Sequence, residues 1–246
     1  MCAKKITKIR KDSAKEFCSL LEEVAYSRSP ESVFRDWMRL TALTLANAVP
    51  FHDATWQKNE EEYLTLAKNY TKEELEKFAK MMAMLVLLFE TEPFQDHLGN
   101  LYMELFGGNK ALGQCFTPMS VAKLLGEITL NGATKEDVEK MDKPVTINDC
   151  CCGGGACLIG ALDYLHSKGI PYQSDFLIYA EDLDPLCCDM CFIQLTLCGC
   201  RAVVTQQDSL TGSVYKRMVT PLERLYPVYP FFMSETLEKS QESAAE

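Results

Sequence analysis

Asn148-Asp149-Cys150-Cys151-Cys152-Gly153-Gly154-Gly155-Ala156-Cys157-Leu158 is the stretch on which the fold turns. The β-branched run Val145-Thr146-Ile147 leads into it, and Leu158, Ala161, Leu162 and Leu165 leave it at helical spacing. A strand therefore passes through three glycines into a helix. Glycines there permit a tight turn and let a ligand approach main-chain N–H groups without meeting a Cβ. A dinucleotide fingerprint would need a further glycine where Leu158 stands, and no Gly-Lys-Ser/Thr follows, which excludes a phosphate-cradling P-loop. Working outward, Phe176 to Ala180 predicts a second strand, Pro185 to Leu197 a helix, and Ala202-Val203-Val204 a third strand. Strands alternating with helices over short connections predict an α/β fold built on a parallel sheet with right-handed crossovers.

The strand ends are acidic. Glu181-Asp182-Leu183-Asp184-Pro185 follows the second strand, and Gln206-Gln207-Asp208-Ser209-Leu210 follows the third. An acid at the tip of the second strand of such a fold accepts hydrogen bonds from ribose hydroxyls, and Asp182 stands at that tip. Asp184 suits the cap of the helix that Pro185 opens, and capping alone would be the plain structural use of all three acids. Carboxylates at Asp149, Asp182 and Asp208 around a glycine turn would repel phosphates. They suit an adenosine-bearing ligand without them, and the cationic sulfonium of S-adenosyl-L-methionine fits.

Before residue 115 the pattern is helical. Ser29-Pro30-Glu31 predicts a hydroxyl-capped helix start, with Phe34, Trp37, Leu40 and Thr41 on one face and Pro50 closing the segment. Thr71-Lys72-Glu73-Glu74 predicts a capping box, followed by Leu75, Phe78, Met82, Leu85 and Phe89. The second half of that helix is apolar all round and should be buried between other helices. Thr117-Pro118 predicts another helix, with Val121, Leu124, Leu125 and Ile128 on one face. Residues 1–112 are expected as a helical N-terminal domain, 113–233 as a ligand-binding α/β domain, and 234–246 as an acidic, disordered tail.

Composition sets further bounds. Of 246 residues 47% are apolar and 24% charged, as in globular chains, and the net charge is −10, which argues against coating nucleic acid over the whole surface. A local basic stretch remains at Lys4, Lys5, Lys8, Arg10, Lys11 and Lys15, either a nucleic-acid face or a solvated tail. The longest apolar run, Met81 to Phe89, is far below the roughly 17–25 residues of a membrane span, and no secretory signal is evident. The twelve cysteines are expected to be reduced thiols in the cytoplasm. Cys188 and Cys191 have Cys-x-x-Cys spacing, but with Cys187, Cys198 and Cys200 they fall in or just after a predicted helix, where packing rather than metal ligation is expected. None of His52, His97 and His166 stands at a readable spacing from a nucleophile, and Asp96-His97-Leu98-Gly99 sits just ahead of the Gly113-to-Pro118 segment, so that packing beside it is a reading left open.

Gly113-Gln114-Cys115-Phe116-Thr117-Pro118, the glycine turn, Glu181-Asp182-Leu183-Asp184-Pro185 and Gln207-Asp208-Ser209-Leu210, in that order, resemble the N6-adenine DNA methyltransferases. The likeness is strongest to modification (M) subunits of type I restriction-modification systems, and covers roughly residues 96–210. It implies a Rossmann-like S-adenosylmethionine-dependent methyltransferase fold, with a truncated parallel sheet behind the helical N-terminal domain. It also implies that Phe116 and Thr117 contact the methionine end of the cofactor, that Asp149 and the backbone of Gly153, Gly154 and Gly155 line the pocket, that Asp182 binds the ribose, and that Asp208 meets the adenine amino group. The family's catalytic Asn-Pro-Pro-aromatic loop, which holds and stacks the flipped adenine, has no counterpart here, since the sequence contains no Pro-Pro. No catalytic residue is assigned. Two functions follow: DNA adenine methylation, with the loop supplied or replaced, or a catalytically silent cofactor-binding module that regulates, assembles with or decoys a restriction-modification system. The partners implied are DNA, bound weakly through the basic N-terminus, and restriction-modification subunits or a second chain.

Overall fold

The computed structural model describes residues 3–107, 116–141 and 144–227, with side chains from residue 8 onward. The expected tail from Ser234 and the Gly113-Gln114-Cys115 part of the motif lie outside the described residues.

Five helices come first: α1 (Ala3–Val24), α2 (Pro30–Ala46), α3 (Ala54–Ala67), α4 (Lys72–Thr91) and α5 (His97–Phe106). The basic start of the chain is therefore no loose tail. Phe17, Leu20, Leu21 and Val24 recur at helical spacing, which gives α1 an apolar face to bury, and it packs along α4. Phe17 meets Trp37 of α2 edge-on at 4.9 Å, and the Trp37 indole donates to the Phe78 carbonyl of α4 at 3.0 Å. The capping box at Thr71 forms, with Glu74 N–H on the threonine hydroxyl at 3.2 Å and Thr71 N–H on the Glu74 carboxylate at 2.7 Å. Two expectations are corrected here. Ser29 stands at the cap of α2 with extended backbone but makes no side-chain cap bond; proline at the first helical position, whose missing N–H costs nothing there, opens the helix. The second half of α4 is not enclosed: Met81, Leu85, Leu88 and Phe89 are buried, whereas Met82 is half-buried and Leu87 exposed, since helices cover one side only.

The α/β part comprises α6 (Met119–Thr129), α7 (Lys135–Glu139), β1 (Val145–Asp149), α8 (Ala156–Ser167), α9 (Tyr172–Asp175), β2 (Phe176–Asp182), α10 (Pro185–Leu197), β3 (Ala202–Asp208), β4 (Ser213–Val219) and α11 (Pro221–Leu225). The sheet order is β1-β2-β3-β4. β1 and β3 both pair in parallel with β2, Ile147 opposite Ile178 and Ile178 opposite Ala202. β4 returns antiparallel on β3, with a bulge at Gln206/Gln207, so the sheet is not wholly parallel as expected. β4 escaped detection because Ser213, Val214 and Tyr215 are exposed and only Met218 is buried, leaving no apolar alternation.

α10 begins and ends where its sequence predicts, capped by Asp184, whose carboxylate accepts Leu186 N–H at 2.8 Å. It lies between the sheet and α2 and is buried from Leu186 to Leu195. Arg39 of α2 bridges to Asp189 of α10 at 2.7 Å and to Glu62 of α3 at 2.6 Å, and Lys216 of β4 joins Glu62 at 2.6 Å. One buried cluster runs from Phe17 through α10 to Met218.

The apolar face expected on α6 forms but is left largely uncovered. Val121, Leu124, Leu125 and Ile128 are 44%, 54%, 45% and 63% exposed. α6 packs on α8 through its small residues instead. A Cβ on Gly160 would stand 2.4 Å from the Ala122 carbonyl oxygen, and one on Gly126 2.7 Å from that of Gly160, so the two backbones nearly touch. Helices this close leave no room for branched side chains between them.

Candidate functional site

The glycine turn joins three strand ends. Beyond β1, Cys152 N–H donates to the Glu181 carbonyl at 2.8 Å, and Gly153 N–H donates to Oδ2 of Asp182 at 2.8 Å. From the end of β3, the Ser209 hydroxyl donates to the Cys150 carbonyl at 2.8 Å and lies 3.4 Å from the Glu181 carboxylate. Gly155 N–H closes the turn on the Cys152 carbonyl at 2.8 Å, and Gly155 then caps α8.

The glycines answer a need below the turn as well as above it. Gly153 and Gly155 adopt φ of +53° and +94°, where a side chain is strained. A Cβ on Gly155 would stand 3.0 Å from Sγ of Cys191, and one on Gly154 would meet the Phe116 ring at 3.4 Å and Asp96 and Met190 at 3.5 Å. Phe116 thus lies against the turn, braced edge-on by Tyr102 at 5.8 Å. Thr117 is hydrogen-bonded to the Cys157 thiol at the start of α8.

The acids differ in surroundings. Asp182 is half-buried, with Oδ2 on Gly153 N–H and Oδ1 on Asp184 N–H at 2.9 Å. Burial holds the Asp149 carboxyl above the usual carboxylate range; the charge of Asp182 adds to this, and a bond from Cys151 N–H opposes it. Asp208 is committed to its own turn, where Oδ1 accepts Leu210 N–H at 2.9 Å and Thr211 N–H at 3.2 Å. Those bonds hold its carboxyl below the usual range. The structure thus joins Asp149, Gly153, Gly154, Gly155, Asp182 and Phe116 around one turn, with Thr117 at the helix behind it. Asp208 is tied to the turn through its neighbour Ser209.

Two of the turn's N–H groups, those of Gly153 and Gly155, are spent internally, and carboxylates stand around it. It is a poor cradle for phosphate and a good one for a ligand bearing hydroxyls and positive charge. Among the thiols, Cys152, hydrogen-bonded to Cys191 and buried, is held far above the ordinary thiol range, and burial raises Cys151, Cys187 and Cys188. Cys187, Cys188, Cys191 and Cys200 pack in the core, and no group of three or more metal-binding side chains forms among the described residues.

Sequence reading missed Gln194 and left open whether the Asp96 segment packs at the site; both side chains lie directly under the turn. The Gln194 amide nitrogen donates to the Gly154 carbonyl at 2.7 Å and to Asp96 at 2.8 Å. One signal was available. Gln194 is an amide on a helix whose side chains, Asp189 and Thr196 apart, are otherwise apolar, and a buried amide must find partners.

Two solved structures are similar in outline. One, from Listeria monocytogenes and assigned as a class I S-adenosylmethionine-dependent methyltransferase, is 18% identical with a TM-score of 0.48, over 81% of this chain and 54% of its own. The other, the methyltransferase subunit of a type I restriction-modification system from Streptococcus thermophilus, is 16% identical with a TM-score of 0.41, over 85% and 59%. The chain thus spans little more than half the length of either. No curated protein matches it. The family model described as N-6 DNA methylase matches residues 94–220, from just before α5 to the end of β4, which takes in the glycine turn and all three acidic strand ends. That match extends over half of the sequence, and the chain belongs to the N-6 DNA methylase family.

Proposed function

We propose that the chain binds S-adenosyl-L-methionine at the glycine turn. The observation that carries this reading is the bond from Gly153 N–H to Asp182, which fixes the second-strand carboxylate directly beside the turn. Each Asp182 oxygen accepts one main-chain N–H and keeps a second lone pair for a ribose hydroxyl. Asp149 and the backbone of Gly153 to Gly155 line the pocket, Phe116 and Thr117 face the methionine end, and Asp208 with Ser209 faces the adenine. When bound, S-adenosyl-L-methionine supplies an electrophilic methyl group on a sulfonium. The chain's own part is to hold it between carboxylates that favour its charge and a Phe116 ring that limits water. Titration calorimetry with S-adenosylmethionine and its demethylated product, S-adenosylhomocysteine, tests the site. Micromolar binding, about −8 kcal/mol, is expected, and no heat with either ligand overturns it.

Methylation of DNA adenine is the family's chemistry and is proposed for this chain only where an Asn-Pro-Pro-aromatic loop, or a substitute for it, comes to the site. Beside it stands the second reading, a silent cofactor-binding module acting with a restriction-modification system, for which these 246 residues, with no Pro-Pro among them, suffice. Its partners would be restriction-modification subunits or a second chain, and DNA through α1, where Lys8, Lys11 and Lys15 are exposed. A cytoplasmic setting accords with both readings. Among the described residues no helix is long and apolar enough to cross a membrane.

A further inference from the structure

We propose that Gln194, braced by Asp96, is a positioning residue that sets the shape of the cofactor turn from beneath and links that turn to the first turn of α5. The inference rests on the cofactor reading above for its consequence, though not for its geometry. Gln194 is 0% and Asp96 4% exposed, so neither has water to fall back on. The Gln194 amide nitrogen spends its two protons on Asp96 Oδ1 at 2.8 Å and the Gly154 carbonyl at 2.7 Å, and its oxygen accepts Leu98 N–H at 3.1 Å. Asp96 Oδ1 also accepts Gly99 N–H at 2.8 Å and so caps α5.

The Gly154 carbonyl shares a peptide plane with Gly155 N–H, which bonds to the Cys152 carbonyl at 2.8 Å. That plane is gripped at both ends, just ahead of the φ of +94° at Gly155. Removing the grip at the oxygen leaves a buried carbonyl unpaired and frees the plane to rotate, which would re-aim the turn that faces the cofactor. Through Leu98 and Gly99 the same side chains fix the start of a helix that lies about 55 residues earlier in the sequence than Gly154. Filling the site should therefore tighten α5.

The test is amide hydrogen exchange by NMR on the full chain, with and without S-adenosylhomocysteine. In the unaltered protein the ligand is expected to slow exchange at Leu98 and Gly99 by about tenfold, along with Gly153 and Gly155. Slowing at the turn with none at Leu98 and Gly99 overturns the link. Gln194→Met keeps volume and loses the bonds, and is expected to weaken S-adenosylhomocysteine about tenfold and speed exchange at Gly155, with β2 and α10 amides unchanged. Asp96→Asn keeps the accepting oxygen and should stay within about threefold of the unaltered protein. Unchanged affinity and unchanged Gly155 exchange in Gln194→Met, or equal loosening of β2 and α10, overturns the positioning role. If the unaltered chain binds no S-adenosylhomocysteine, the cofactor reading fails, and Gly155 exchange in ligand-free Gln194→Met still decides the grip.

Discussion

Asp182 serves two masters, and this governs what can replace it. Its two oxygens each hold a main-chain N–H, from Gly153 on one side and Asp184 on the other. Alanine abolishes both bonds and the ribose acceptors, so Asp182→Ala should weaken S-adenosylhomocysteine by about 1.5–3 kcal/mol in calorimetry. Asparagine is little better, because its NH2 must face one of those two N–H donors. Asp182→Asn is therefore expected to lose most of the same affinity; near-normal binding would show that the carboxylate acts only as a spacer. The places of Asp182 and Asp184, at a strand end and a helix start, were legible in the sequence because each follows from its immediate neighbours. Those of Gln194 and Asp96 were not, since their bonds span 40 and 98 residues of chain.

Among the elements, α10 shows how burial sets a titration. Burial pushes Asp189 up to about 6, with Arg39 at 2.7 Å pulling the other way. An acid raised on folding binds a proton in the folded state between about pH 4 and 6 that the unfolded chain has already lost, so it contributes a fall in stability as pH rises through that window. Asp189→Asn removes this slope. The variant's urea midpoint, measured relative to the unaltered protein, should rise from pH 4 to 6 and then level off, by at most about 3 kcal/mol; a constant difference across the window would refute it. The α6–α8 crossing is more brittle. Gly160→Ala drives a methyl into the Ala122 carbonyl and should cost about 1–3 kcal/mol in urea unfolding, and an unchanged midpoint would mean that the helices part freely. Periodicity predicted α8 and α10 well because their apolar residues do meet the core. At α6 it gave the helix but not its packing face, since the apolar spacing points outward and two glycines and an alanine carry the packing. β4 lacked the period altogether.

At the scale of the whole sequence, the charge and the motif content of these 246 residues act together. With a net charge of −10 and the Lys8, Lys11 and Lys15 side chains on α1 as the exposed basic group near its start, duplex affinity should be weak and fall steeply with salt. Flipping an adenine costs a few kcal/mol that a stacking aromatic ring would offset, and no Asn-Pro-Pro-aromatic sequence supplies one here. Incubating this chain with methyl-labelled cofactor and mixed-sequence DNA is expected to transfer no label above background. Incorporation at adenine N6 by this chain alone would rule out the silent-module reading.

The outward face of α6 has a consequence for how the protein behaves as a solute. Val121, Leu124, Leu125 and Ile128 form one apolar stripe in contact with water, and such stripes dominate salting-out because excluded salts raise the cost of wetting them. Leu124→Gln with Ile128→Lys should raise the ammonium sulfate concentration needed for precipitation. The melting temperature should hardly move, since side chains that bury so little contribute little to folding.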